Sequence, residues 1–389
     1  MNKRRYALLL VVLGMAALPL LAQQPCARFS VAVGSDEDKL MLAVTGADNP
    51  QEQLTALDSF AKDHADSKFM PCVYEYTAAA NYKMKDYDKS VENGEKGLAA
   101  NYQDLNLLLN LVRAYVGSTK VGDSAFVAVN KIPDQIKEEL GNPSRPNKAT
   151  DEEWAKIQKE NAEVAKDCHD VGVWAFFQLA PRVTDPAKQV QVLDDFAKAY
   201  PDDANSVQLN VAYFQAYQMQ GKLDKTVEYG DKVLAADPNS VAVANTLGLI
   251  NAFYSQTPSL DKAAAYAQKA LVAAQNLKKP DGMDDATFKK QQDAQLGMAH
   301  LTLGYSALMK AQKGTKYAPI TEELKNSGEL LEGNPALQGQ ALYYLAFAYE
   351  KQYPPNHQAA STALQKAVAL PGPFQAQSQA LLAKVKAAM

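Results

Sequence analysis

An internal duplication constrains the fold of this chain more than any other feature of its sequence. The segment from Pro50 to Ala100 aligns without a gap on the segment from Pro186 to Ala236, an offset of 136 residues, with 18 identities in 51 positions. Average composition would give roughly three or four identities. The offset is four times 34 residues, so the chain is expected to contain a smaller unit of that length, stacked in series.

The sequence of the duplicated segments is typical of helices. Alanine and other strong helix formers are abundant, whereas runs of β-branched and aromatic residues, which would indicate strands, are scarce. Apolar residues recur at helical spacing, as at Val211, Phe214 and Tyr217. Helices of about 14 residues are only marginally stable alone in water, so each must bury its apolar face against a neighbour. The chain is therefore predicted to be all-α.

The turns carry the most specific signals, and these resemble the tetratricopeptide repeat, a helix pair of 34 residues. Gly221, Leu223, Leu234 and Pro238 occupy the positions of its turn glycine, second-helix apolar residue, alanine-leucine step and closing proline. The resemblance implies a right-handed α-solenoid of about eight antiparallel helix pairs and a C-terminal cap helix. We expect the cap at 374–388 and the pairs at 36–64, 69–100, 105–131, 151–200, 207–236, 241–275, 285–332 and 336–370.

The first 22 residues resemble a secretory signal peptide. Lys3, Arg4 and Arg5 precede a mainly apolar stretch, and cleavage is expected after Ala22. An uncleaved anchor is the alternative, although the stretch is shorter than the roughly 20 apolar residues that a membrane span needs. We expect a periplasmic or secreted protein with no integral membrane span after cleavage.

The predicted organisation continues with an N-terminal tail at 23–35 and a first helical array at 36–135. A linker at 136–150 follows, because the run from Gly141 to Thr150 cannot continue a helix. It is interpreted as a plain loop, with a hinge as the alternative. The second array, with the cap helix, occupies 151–389.

The three cysteines, Cys26, Cys72 and Cys168, are too few for a disulfide scaffold, although an exported location permits one bridge. Removing the basic start of the signal peptide makes the chain more acidic than its formal net charge of -4. A mildly acidic chain lacks the basic surface of a nucleic-acid binder, so nucleic acid is not expected as a partner.

Catalytic motifs are absent from the sequence, including phosphate-binding loops, nucleophile elbows and His-Glu-x-x-His. Its histidines are not spaced as metal ligands. Cys168 and His169 are adjacent, but neighbouring residues of a helix point about 100° apart, whereas a nucleophile and its base must face each other. We therefore predict no catalytic residue, no cofactor and no metal.

In the family that this chain resembles, the first helix of each pair lines a concave groove that receives a peptide or a helix. The resemblance implies a non-catalytic scaffold or adaptor in the bacterial cell envelope that binds a protein or peptide, which the sequence does not identify. A carrier of small ligands or glycans is the alternative, because tyrosines cluster around Tyr343. The groove residues implied are Glu75, Tyr82, Asn106, Arg113, Gln215, Gln218, Asn245, Tyr343, Phe347 and Glu350.

Overall fold

The computed structural model describes residues 29–100, 104–255 and 258–389. Over these residues the chain is all-α, with 17 helices and no strand, and consecutive helices pack against each other. The predicted signal peptide and the start of the predicted tail lie outside the described residues. The chain divides into two compact units, which meet in sequence between Asn205 and Ser206.

The N-terminal unit contains eight α-helices among its described residues. We call odd-numbered helices first helices and even-numbered helices second helices. The bounds are α1 Asp36–Gly46, α2 Pro50–Asp63, α3 Met70–Lys83, α4 Tyr87–Ala99, α5 Leu105–Gly117, α6 Asp123–Glu139, α7 Asp151–Leu179 and α8 Pro186–Ala199.

The C-terminal unit contains the remaining nine α-helices, and α11 continues directly into a π-helical segment, Ile250–Tyr254. The bounds are α9 Val207–Met219, α10 Leu223–Ala236, α11 Val241–Leu249, α12 Leu260–Gln275, α13 Asp285–Lys310, α14 Ala318–Leu330, α15 Pro335–Lys351, α16 His357–Val368 and α17 Gln375–Ala388.

Helix starts are fixed by local capping. The side chain of Asn49 accepts a hydrogen bond from the backbone nitrogen of Glu52 at 3.0 Å, and Pro50 is the first residue of α2. At the equivalent position, Asp185 caps α8 by accepting from the backbone nitrogen of Ala187 at 2.8 Å. Such caps satisfy the orphan N–H groups of the first turn, so both copies of the duplication begin this helix in the same way.

The duplicated segments also share their packing. Gly94 on α4 faces Leu111 on α5, and a Cβ at Gly94 would lie 2.9 Å from the Leu111 Cδ1 atom. The equivalent Gly230 and Leu247 have the same relation at 2.7 Å. Both leucines are fully buried. A glycine on the second helix therefore allows the next first helix to approach closely in both copies.

The loop at 140–150 lies inside the N-terminal unit. α6 continues through Pro133 to Glu139, so the first residues of the predicted linker are helical. After the loop, the side chain of Thr150 accepts from the backbone nitrogen of Glu153 in a capping box that starts α7. α7 packs on both α5 and α6. The division between the compact units lies further along the chain than the predicted linker.

Candidate functional site

The predicted groove residues on α3 and α5 fall into two groups. Glu75 is 1% exposed and Asn106 is 7% exposed, which leaves too little surface for a partner to contact their side chains. Tyr82 and Arg113 are partly exposed. Tyr82 lies on α3 and Arg113 on α5, and α5 packs on both α3 and α7. The two side chains therefore belong to a series of three first helices that pack side by side.

Arg113 has an electrostatic influence on two of these helices. Burial raises the pKa of Tyr82 on α3, and the nearby Arg113 guanidinium opposes that rise. The same charge acts on Cys168 of α7. Among the described residues, no hydrogen-bond acceptor is within reach of the buried Arg113 Nε. Because the side chain as a whole is partly exposed, the guanidinium can still pair with a carboxylate or phosphate group of a ligand.

Cys168 and His169 do not form a nucleophile and base pair. Burial raises the pKa of the Cys168 thiol to about 11, so it remains protonated at neutral pH. The His169 ring instead lies with its Nε2 atom 3.1 Å from the Asp203 carboxylate and packs edge-on against Tyr200. The Cys168 side chain is therefore buried in the core, whereas the neighbouring His169 side chain contacts Asp203 and Tyr200.

The cysteines differ in state. Cys168 is free and buried, whereas Cys72, at the start of α3, is disulfide-bonded. Cys26 lies outside the described residues. A disulfide is typical of a protein that matures in an oxidising compartment.

In the C-terminal unit, Gln215 and Gln218 are exposed on α9, as a partner-binding role requires. Asn245 on α11 is only 2% exposed. Its Nδ2 atom donates to the backbone carbonyl of Gln295 at 2.9 Å and to the Gln295 side-chain oxygen at 2.8 Å. Asn245 therefore joins two first helices, α11 and α13, through its amide nitrogen, whereas its buried Oδ1 atom has no hydrogen-bond partner among the described residues.

The predicted residues on α15 are all partly exposed and have partners. The Lys351 ammonium lies 5.3 Å from the centroid of the Phe347 ring, and the Glu350 carboxylate lies 2.9 Å from the Nδ1 atom of His357. Tyr343 packs at 5.3 Å against both Tyr344 and Phe374. These side chains border the apolar core that α13 to α17 enclose.

Tyr343 also belongs to a larger feature, which we call the aromatic row: Phe253, Tyr305, Tyr344, Tyr343 and Phe374. The ring centroids are 4.2 Å apart from Phe253 to Tyr305 and 4.7 Å apart from Tyr305 to Tyr344. All five rings are partly exposed. The row thus follows the first helices from the end of α11 to the start of α17. Edge-to-face and offset contacts between rings are favourable, so they hold these side chains in place.

The π-helical segment places the first member of the row. The backbone nitrogen of Ser255 donates to the carbonyl of Ile250 at 2.8 Å, a bond across five residues, which widens the helix at this point. Such segments often occur at functional sites. Sequence reasoning missed Phe253 and Tyr305, and the signal that could have found them was the recurrence of an aromatic residue near the end of successive first helices.

Two features are absent from the described residues. No group of three or more His, Cys, Asp or Glu side chains is arranged to hold a metal ion there. In the same part of the chain, no helix is both long and apolar enough to cross a membrane.

The fold and these surfaces define an all-α protein of packed helices with an internal duplication. The chain matches no protein-family model, and none of the curated proteins shows significant similarity to it.

Proposed function

We propose that this protein is a non-catalytic scaffold or adaptor that binds a peptide or protein segment along its first helices, as the tetratricopeptide-like right-handed solenoid of about eight helix pairs would allow. The aromatic row is the observation that carries the proposal. Partly exposed rings on successive helices offer apolar contact at low entropic cost, and aromatic residues are enriched where proteins bind each other.

Cross-linking in intact cells followed by mass spectrometry tests the row. The variant Phe253→Ala with Phe374→Ala removes both ends of the row without removing a hydrogen bond, and we expect at least tenfold less of each partner to be recovered. The matched control, Val272→Ala with Leu277→Ala, removes two exposed apolar side chains outside the row. Equal losses from both variants, or no defined partner for the wild type, would contradict the proposal. Thermal unfolding confirms that each variant is folded.

Arg113 provides a separate anchor in the N-terminal unit. If an acidic group of the partner pairs with its guanidinium, Arg113→Glu should abolish recovery of that partner, whereas Arg113→Lys should keep part of it because the charge is retained. Loss with both variants and no change in stability would indicate that the planar, bidentate geometry is needed. Full recovery with Arg113→Glu would remove this residue from the binding surface.

The proposed compartment is the bacterial cell envelope, and the predicted signal at 1–22 and the disulfide-bonded Cys72 support it. N-terminal sequencing of the protein from cells should begin at Gln23. A protein that retains Met1 would contradict cleavage.

A carrier of glycans is a second candidate, since the tyrosine rings of the row, such as Tyr305 and Tyr344 with centroids 4.7 Å apart, could stack on sugars. A thermal-shift screen with oligosaccharides separates the candidates. A ligand at 100 times its dissociation constant stabilises the folded state by about 2.7 kcal/mol. If no oligosaccharide shifts the transition, this candidate is dismissed.

A further inference from the structure

One edge of the C-terminal unit carries a regular series of exposed apolar side chains. They occur where each first helix ends: Met219 at the end of α9 is 57% exposed, Tyr254 at the end of the π-helical segment 60%, Met309 near the end of α13 40%, and Tyr353 just after α15 98%. Single exposed apolar residues are ordinary on protein surfaces. Here one occurs at the same place in each of four consecutive helix pairs.

These positions share an edge because of the chain path. Each first helix is joined by a short turn to a second helix that packs against it. α10 packs on both α9 and α11, and α11, α13 and α15 pack on one another in series. The C-terminal ends of these helices therefore point the same way. Lys310 at the end of α13 contacts Asp261 at the start of α12, which brings neighbouring turns together at this edge.

The same edge is basic in an acidic chain. We define the basic edge by the described residues of the turns 220–222, 255, 258–259, 311–317 and 352–356, with one helical turn on each side. It holds seven lysines and three carboxylates, and Lys310, Lys313 and Lys316 surround a single turn. The corresponding segments at the opposite edge hold three lysines and six carboxylates. Charge is thus separated between the two edges.

We propose that the basic edge docks the protein on an anionic lipid surface. Lysines are attracted to the negative potential of anionic headgroups. Tyrosine favours the boundary between headgroups and acyl chains, and methionine adds flexible apolar contact there. The four apolar side chains insert at this depth while the lysines remain at headgroup level. Of the aromatic row, only Phe253 lies within the basic edge as defined, with its ring 6.4 Å from that of Tyr254. The other four rings lie outside the edge, so a docked protein keeps most of its partner-binding surface.

Sedimentation with vesicles tests this docking. The chain beginning at Gln23 should bind vesicles of phosphatidylcholine with a quarter phosphatidylglycerol, bind pure phosphatidylcholine at least tenfold more weakly, and dissociate in high salt. Lys313→Glu with Lys316→Glu, and separately Tyr254→Ser with Tyr353→Ser, should each weaken binding at least tenfold. The control Lys278→Glu with Lys279→Glu makes the same charge change at the opposite edge and should leave binding unchanged.

Three results would overturn the proposal: wild-type protein that does not bind anionic vesicles, equal weakening by the control pair, or binding to immobilised polyglutamate in place of vesicles. The last would identify the edge as a surface for acidic polypeptides. A second variant, Tyr353→Trp, reports insertion directly, since its emission should shift to shorter wavelength and be quenched by brominated lipid. An unshifted spectrum on bound vesicles would also overturn it. None of these variants changes a residue of the aromatic row. Failure of membrane docking can therefore be told apart from failure of the proposed scaffold function.

Discussion

The two copies of the duplication keep the same packing but expose different chemistry. In both, a glycine of the second helix faces a leucine of the next first helix, Gly94 with Leu111 and Gly230 with Leu247. The face beside that leucine differs. Arg113 in the first copy corresponds to Leu249 in the second. The glycine and leucine contact is thus the same in both places, whereas the partly exposed arginine of α5 corresponds to a partly exposed leucine of α11.

The ends of the equivalent first helices differ as well. α5 ends at Gly117, and the Arg182 guanidinium donates to the carbonyl oxygens of Val116 at 2.6 Å and Ser118 at 3.1 Å. In the second copy the helix instead widens into the π-helical segment and ends with aromatic residues, Phe253 and Tyr254. The end of α5 is thus held by an arginine side chain, whereas the π-helical segment that extends α11 is the start of the aromatic row.

The largest expected effect tests whether the shared packing contributes equally in the two copies. Leu111→Ala and Leu247→Ala should each lower the free energy of unfolding by about 2–5 kcal/mol, because each removes a fully buried side chain and leaves a cavity. Urea denaturation provides the measurement.

The facing glycines turn this into a double-mutant cycle. Gly94→Ala in the Leu111→Ala background, and Gly230→Ala in the Leu247→Ala background, should recover part of the loss, because the new methyl group enters the space that the leucine left. If only one copy shows such recovery, the glycine and leucine contact is not equivalent in the two copies.

The next largest effect concerns one contact between neighbouring helices, which is made by different residues at equivalent positions of the chain. In the first copy, the His64 ring lies 3.7 Å from the Asp36 carboxylate. At the equivalent positions of the second copy stand Tyr200 and Gly172, and the Tyr200 hydroxyl donates to the carbonyl of Val129 at 2.8 Å. A Cβ at Gly172 would lie 2.1 Å from that hydroxyl.

Gly172→Ala should therefore destabilise the protein by about 1–3 kcal/mol, as overpacking does, although the same change at an unhindered helical site would stabilise it by up to about 1 kcal/mol. In the Tyr200→Phe background, which lacks the hydroxyl, Gly172→Ala should cost less. Thermal and urea unfolding of the four proteins measure this coupling. A stabilising Gly172→Ala in the wild-type background would show that the tyrosine can move aside.

Features that depend on residues close together in the sequence could be predicted, and features that depend on distant residues could not. The all-α class and the turn at Gly221 could be predicted because they depend on nearby residues, and Gly221 has a φ of +67° between α9 and α10. The burial of Asn245 could not be predicted, because its partner Gln295 is 50 residues away and reaches it only through helix packing. Phe253 escaped prediction because the π-helical segment changes the direction of its side chain relative to the α-helical spacing.

A smaller effect tests the helix end that only the first copy holds with an arginine. Arg182→Ala should lower the free energy of unfolding by about 1–2 kcal/mol, since it removes charge-assisted hydrogen bonds to the last carbonyls of α5. Hydrogen exchange should increase at the end of α5 and remain unchanged at the end of α11. Increases in both helices would show that the arginine acts on the whole fold rather than on this helix end.

The smallest effect lies in the turn between the paired helices, where the copies have the same backbone and different residues. Lys85 has a φ of +62° and the equivalent Gly221 a φ of +67°. Residues with a Cβ are strained in this left-handed region by about 1 kcal/mol, and glycine is not.

Lys85→Gly should therefore stabilise the protein by roughly 0.5–1 kcal/mol, despite the greater chain entropy of glycine when unfolded. Gly221→Ala should destabilise it by a similar amount, since no atom lies within 4 Å of the added Cβ and only the backbone strain changes. Opposite signs at equivalent positions are expected in urea unfolding. The same sign at both would mean that side-chain contacts, not the shared φ, determine the stability of this turn.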